Sequence, residues 1–157
     1  MKVLITGITG MVGSHLTDFL LENTNWDIYG MCRWRSPKDN VNHILTRVNK
    51  KDRVFFLFGD LRDYISLQNV VNEVKPDYVY HLAAVSNIDH VIEKPIETIN
   101  YNVMGTAFLL EEARQSNIKR FFLASSVFVF EKSGHFYTSS KYFSEIFPLC
   151  CNLSIAF

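Results

Sequence analysis

The sequence predicts a single α/β domain built on a parallel, doubly wound sheet, and three observations carry that reading. Five short apolar runs alternate with helical patterns along the chain. The first run opens into Thr6-Gly7-Ile8-Thr9-Gly10-Met11-Val12-Gly13, eight residues holding three of the chain's seven glycines. Small or hydroxylated residues end two later runs, Ala83-Ala84 and Ser125-Ser126. Right-handed crossovers would bring the carboxyl ends of all five strands to one edge, where ligands of such sheets bind.

The bulk properties narrow the class. At 157 residues the chain is one domain by length, and 48% hydrophobic with 14% aromatic content supports a substantial core. Sixteen basic and sixteen acidic residues cancel, which argues against a nucleic-acid or acidic-membrane surface. Cys32, Cys150 and Cys151 are odd in number with two adjacent, so they predict a reducing compartment rather than a disulfide framework. Only Met1 and Lys2 precede a core strand, and no run reaches membrane-span length. The expectation is a cytoplasmic protein with no membrane partner.

Val3-Leu4-Ile5 forms the first strand. Val12, Leu16, Phe19 and Leu20 repeat at helical spacing, so the order is strand, glycine turn, amphipathic helix. Such a turn lets backbone N–H groups approach a pyrophosphate, and the helix dipole favours the anion. The spacing G-x-x-G-x-x-G is one residue longer between the first two glycines than the common dinucleotide fingerprint. The second strand, Asp27–Met31, is followed by Cys32-Arg33-Trp34-Arg35-Ser36, where NAD-binding folds of this type usually carry an acid. Arg33 and Arg35 suit a 2′-phosphate bidentately; two solvated surface arginines are the alternative of equal weight.

Pro37 to Arg53 is polar, with a short helix expected around His43–Val48. Val54–Phe58 reads as a strand covered on both faces and ends in Gly59-Asp60-Leu61. Leu67, Val70, Val71 and Val74 make a helical stripe that Pro76 closes. A fourth strand at Tyr78–Leu82 runs into Ala83-Ala84, small enough for a cofactor to lie against. The helix after Pro95 is expected to bury Val103, Ala107 and Leu110, and a fifth strand, Phe121–Ala124, ends in Ser125-Ser126. Tyr137 and Lys141 stand at i and i+4, so an ammonium beside the phenol would stabilise phenolate and let it accept a substrate hydroxyl proton. That spacing by itself fits a surface helix pair better. His81 reads as a packed strand residue, and the other histidines are too scattered for a metal site.

Taken together, Thr6-Gly7-x-x-Gly10-x-x-Gly13, Gly59-Asp60-Leu61, His81-Leu82-Ala83-Ala84, Asn102-Val103-x-Gly105-Thr106, Ser125-Ser126 and Tyr137-x-x-x-Lys141 resemble the extended short-chain dehydrogenases/reductases of the NAD-dependent epimerase/dehydratase family, over residues 1–145. Within it, Ile5–Gly10, Arg33–Ser36 and Pro76–Ser86 most resemble the GDP-mannose 4,6-dehydratases. The resemblance implies a Rossmann-type domain over 1–147 that modifies a nucleotide sugar, GDP-mannose included, by transient oxidation at the sugar C4. It implies NADP, or NAD, as cofactor and a homodimer or larger assembly. Gly7 and Thr9, Gly10, Met11, Val12 and Gly13 would cradle the pyrophosphate, Arg33 and Arg35 the 2′-phosphate, and Asp60 and Leu61 the adenine. Leu82, Ala83 and Ala84 would line the nicotinamide side, Ser86 would reach the substrate or the cofactor, and Lys141 would hold the nicotinamide ribose. Tyr137 would be the base, with Ser126 on the sugar 4-hydroxyl.

The chain departs from that pattern in three places. Dehydratases of the GDP-mannose type carry a Glu two positions after Ser126, where this chain has Phe128. A phenyl ring transfers no proton, which favours epimerase or reductase chemistry. Eleven positions separate Ser126 from Tyr137, about half the family interval, and Phe130-Glu131 stands where the family has Tyr-Gly. Pro148 is expected to stop the last helix about two turns after Lys141. The apolar stretch 148–157 then replaces the family's C-terminal substrate domain, either substituting for a strand or reflecting a truncated or frame-shifted reading frame. A catalytically incompetent cofactor-binding module is therefore the second reading, and a purely structural α/β domain the third.

Overall fold

The structure, a computed structural model, describes residues 1–48, 53–130, 136–150 and 155–156. Glu131 and residues 151–154 and 157 lie outside them. The strands are β1 (Lys2–Thr6), β2 (Asp27–Cys32), β3 (Val54–Phe58), β4 (Tyr78–His81), β5 (Arg120–Leu123) and β6 (Ile155–Ala156). They form one parallel sheet in the order β3-β2-β1-β4-β5-β6. The two residues of β6 pair with Phe121 and Phe122, so the tail adds a sixth strand beyond the five expected. Thr6 stands opposite Met31 on one side and His81 on the other. The strand order reverses between β1 and β4, and a crevice opens there at the carboxyl ends.

Side chains alternate across each strand, so the sheet has two cores. Val3, Ile5, Ile28 and Val54 join Leu20 of α1 (Met11–Asn23) and Ile44 of α2 (Asn42–Val48) on one face. Leu4, Val79, Phe121 and Leu123 pack with α3 (Tyr64–Val74) and α6 (Gly105–Gln115) on the other. Each fully buried Leu or Ile there stabilises the fold by roughly 1.5–3 kcal/mol. The α3 helix begins at Asp63, whose carboxylate accepts from Ser66 N–H, and ends at Lys75 in a left-handed conformation just before Pro76.

Four local expectations are corrected. In α1 the buried positions are Gly13, Ser14, Thr17 and Leu20, whereas Val12 and Phe19 are each 59% exposed. The first turn of α1 lies so close to the glycine turn that small residues must face it. Strand β3 is the sheet edge, not a strand covered on both faces. Phe55 and Phe58 stay exposed; Phe55 stacks on Tyr29 and Phe58 meets Trp34 at a tilt instead. The helix after Pro95 is interrupted: α4 (Ile88–Glu93) and α5 (Pro95–Thr98) lead into a π-helical turn at Ile99–Met104 before α6. That wider turn rotates the buried face, so Tyr101, Asn102, Thr106, Leu109 and Leu110 point inward while Val103 and Ala107 are only half-buried. Finally, α7 (Phe136–Cys150) runs through Pro148. Proline removes one bond, to the Ser144 carbonyl, and the turns before it are reinforced by Ser140 and Ser144 hydroxyls donating to the Tyr137 and Ser140 carbonyls.

Candidate functional site

The three glycines of the first turn have different tasks. Gly7 has φ +74°, and a Cβ there would stand 2.9 Å from the Ala83 nitrogen. A Cβ on Gly13 would fall 2.3 Å from the Gly7 oxygen. These two are demanded by the protein's own packing. A Cβ on Gly10 would meet only the Gly7 oxygen, at 3.2 Å, and otherwise open space. Gly10 is the N-cap of α1, with no side-chain cap and no acidic residue in the first turn. The turn is closed by Gly10 N–H to Gly7 O and Ser14 N–H to Gly10 O, both 2.9 Å. A bare helix N-terminus behind a residue without a side chain is a cradle for an anion that must come close.

That cradle floors a cavity of about 420 Å³ at the sheet's carboxyl edge. Of the residues expected to bind cofactor, Gly7, Thr9, Gly10, Met11, Val12, Gly13, Arg33, Leu61, Leu82, Ala83, Ala84 and Ser86 line it. Arg35, Asp60 and Lys141 do not, for identifiable reasons. Arg35 is exposed in a turn that Ser36 closes on Arg33. The Asp60 carboxylate is taken by Arg62 through two side-chain bonds of 3.1 and 2.8 Å, which hold its carboxyl below the usual range. The Lys141 ammonium donates to the Ala124 carbonyl at 2.8 Å. The cavity also recruits Met31, Cys32, Ser36, Gly59, Val85 and Tyr101, which sequence reasoning passed over. Met31, Cys32 and Gly59 follow the same strand-end rule that picked Arg33. Tyr101 precedes the Asn102-Val103 motif and is turned inward by the π-helical turn.

Behind the cavity is a buried polar relay. His81 is 3% exposed, with Nδ1 2.7 Å from the Thr6 hydroxyl and Nε2 2.9 Å from the Thr106 hydroxyl. Thr106 spends its proton on the Asn102 carbonyl, so Nε2 carries the hydrogen and Nδ1 accepts from Thr6. Burial, with the Lys141 charge nearby, pushes the His81 pKa down to about 3. The ring is a neutral spacer between β1, β4 and α6. The Asn102 amide holds the backbone of Val85 in both directions, at 2.8 and 2.9 Å, and reaches Ser140 of α7 at 3.2 Å. One side chain thereby ties the cavity wall to the helix that carries Tyr137 and Lys141.

Tyr137 and Lys141 are 8% and 6% exposed. The ammonium lies 5.9 Å from the Tyr137 ring centre, and burial lowers its pKa to about 8. The Phe128 ring meets Tyr137 edge-on at 6.2 Å. Ser126 opens the 3-10 turn Val127–Phe130; its hydroxyl accepts from Phe128 N–H at 3.4 Å and its carbonyl from Val129 N–H at 3.2 Å. The Ser125 hydroxyl donates to the Glu145 carboxylate of α7. Phe128 thus joins the Ser126 turn to Tyr137, outside the cavity lining. Among the described residues, no group of three or more His, Cys, Asp or Glu is placed to hold a metal, and no helix is long and apolar enough to cross a membrane.

A family model described as GDP-mannose 4,6 dehydratase matches residues 4–145. The chain belongs to the GDP-mannose 4,6-dehydratase family. The GDP-mannose 4,6-dehydratase of Yersinia enterocolitica is 39% identical over 132 residues, covering 80% of this chain and 35% of the relative. This member of the family therefore spans about a third of the length of that curated relative. The crystal structure of Bordetella bronchiseptica WbmH, in complex with NAD+, superposes with a TM-score of 0.82 at 20% identity, over 98% of this chain and 54% of that one. The UDP-glucose 4-epimerase of Bifidobacterium longum, in complex with NAD+ and UDP, gives 0.80 at 25% identity, over 96% and 48%. These two neighbours share the doubly wound Rossmann-type sheet found here.

Proposed function

We propose that this chain is the cofactor-binding part of a nucleotide-sugar-modifying enzyme. It takes a nicotinamide dinucleotide, NADP in preference to NAD, across the crevice between β1 and β4. The observation that carries the reading is the Gly10 cradle: an uncapped helix N-terminus facing a cavity, with the least crowded glycine of the turn at its centre. The pyrophosphate fits the Thr9–Gly13 backbone, and the adenosine end fits between Met31, Arg33, Gly59 and Leu61. Arg33 is the charge for a 2′-phosphate, and the nicotinamide side lies along Leu82–Ser86. When bound, the dinucleotide supplies a hydride acceptor.

The chain's own residues would handle the proton. Tyr137 takes it from the sugar 4-hydroxyl, Ser126 orients that hydroxyl, and the Lys141 ammonium favours the phenolate. The sugar nucleotide follows from the relatives' names, with GDP-mannose first. Phe128 gives the C5 proton no acceptor at that position, so the C4 oxidation is the step assigned here. A soluble, cytoplasmic homo-oligomer is the proposed setting. The test is single-turnover absorbance at the nicotinamide band with GDP-mannose, comparing this chain with Tyr137→Phe. Reduction seen in the parent and lost in the variant supports the reading. Cofactor binding without reduction limits this chain to binding, and no dinucleotide binding refutes the proposal.

A further inference from the structure

Two arginines converge on one phenol at the adenosine end of the cavity. The Arg62 guanidinium carbon lies 4.6 Å from the Tyr101 ring centre and that of Arg33 lies 5.5 Å from it. Their electrostatic situations differ. Arg62 is bound bidentately by Asp60, with Glu97 contributing to the field around it, so its charge is matched. Arg33 forms no ion pair with any described carboxylate. Its Nη1 instead donates to the Tyr101 hydroxyl at 3.1 Å. A neutral acceptor fixes a guanidinium without neutralising it, whereas a carboxylate would do both.

Tyr101 is itself fixed. It is 6% exposed, sits in the π-helical turn and packs into the core cluster of α3 and α6, so its hydroxyl is presented to the cavity from a rigid base. The partner through which Arg33 is pre-aligned is therefore a buried side chain, not a mobile surface one. Holding a long side chain in its binding rotamer before the ligand arrives removes an ordering cost from association.

We infer that Tyr101 is a specificity-determining positioning residue: it holds Arg33, still charged, where a phosphate on the adenosine ribose would sit, and so sets discrimination between 2′-phosphorylated and plain dinucleotide. The inference rests on the proposed preference for NADP. Its measure is the ratio of NADP+ to NAD+ affinity, taken by titration calorimetry on the 157-residue chain. Tyr101→Phe keeps the buried ring and removes only the acceptor, and it is expected to lower that ratio roughly three- to tenfold, the scale of one ordinary hydrogen bond. In an Arg33→Ala background the same substitution should leave the ratio where Arg33→Ala alone puts it. A packing role would move both backgrounds alike. A parent that prefers NADP+ with a ratio unmoved by Tyr101→Phe, or moved equally in both backgrounds, overturns the inference and leaves the cofactor reading standing. A parent with no preference overturns both.

Discussion

The glycine turn and the Tyr137–Lys141 corner lie at the same sheet edge but are built from opposite materials. The turn is backbone and small residues, and it leaves open space beside Gly10 at the start of α1. The corner is made of buried and half-buried polar side chains, each spoken for by the protein: Lys141 by the Ala124 carbonyl, Ser126 by the Phe128 amide, Ser125 by Glu145. A backbone cradle needs only the chain's local path. A corner made of side chains needs several of them held by other residues, and here Phe128 meets Tyr137 edge-on. The two regions are therefore separable parts of one chain.

The largest expected effect breaks the turn. Gly10→Val should raise the dinucleotide Kd more than about 100-fold, because the branched side chain fills the space where at least two charge-assisted backbone bonds form. Its melting temperature should stay near that of the parent, whereas Gly13→Val, with the Gly7 oxygen 2.3 Å away, should not fold. Calorimetry and thermal melts of both variants separate the two roles. Parent-like affinity in folded Gly10→Val would remove the cradle from the site.

The next effect reads the relay that both regions share. His81 is kept near pKa 3 when folded, against 6.5 unfolded, so the unfolded chain takes up the proton first. Its contribution is complete above about pH 6.5 and is lost as pH falls towards 3, amounting to about 3 kcal/mol between pH 7 and pH 4. Urea unfolding at those two pH values measures it, and His81→Gln should show a smaller difference.

The smallest effect tests whether the corner is built for something other than stability. Lys141 titrates near 8 when folded and 10.5 when unfolded, so its burial opposes folding below pH 8 and that opposition fades as pH rises to 10.5. Lys141→Met should stabilise the chain by roughly 1–3 kcal/mol at pH 7 and flatten the alkaline rise. A destabilised Lys141→Met would mean that the bond to Ala124 outweighs the burial of charge, and that the lysine is structural.

Legibility followed the same division. Period-two and glycine signals are local, so five strands, their helices and most of the cavity wall could be read in order. Misreadings arose where a neighbour in space overrode the local pattern. Phe19 fits an apolar stripe, yet the close approach of α1 to Gly7 reserves the inner face for Gly13 and Thr17. Val54–Phe58 is apolar enough for a central strand, but the sheet ends there. Tyr101 carries no local sign of its task, because a π-helical turn set its direction and Arg33, its partner, comes 68 residues earlier. The Tyr137–Lys141 spacing was visible, while its burial under Phe128 depended on contacts no spacing encodes.

The central position of β1 has a consequence for how the protein is made. Its residues leave the ribosome before those of the other strands, yet Thr6 meets His81 across 75 residues of chain, and Gly7 packs on Ala83. At about 5–20 residues per second, the nascent strand waits roughly 4–15 s for the neighbour on that side. Until then β1 can pair only with β2, leaving Leu4 and Thr6 with one edge open and the glycine turn without the backbone that shapes it. The glycine turn is thus made before the strand that shapes it and is assembled only once β4 has followed.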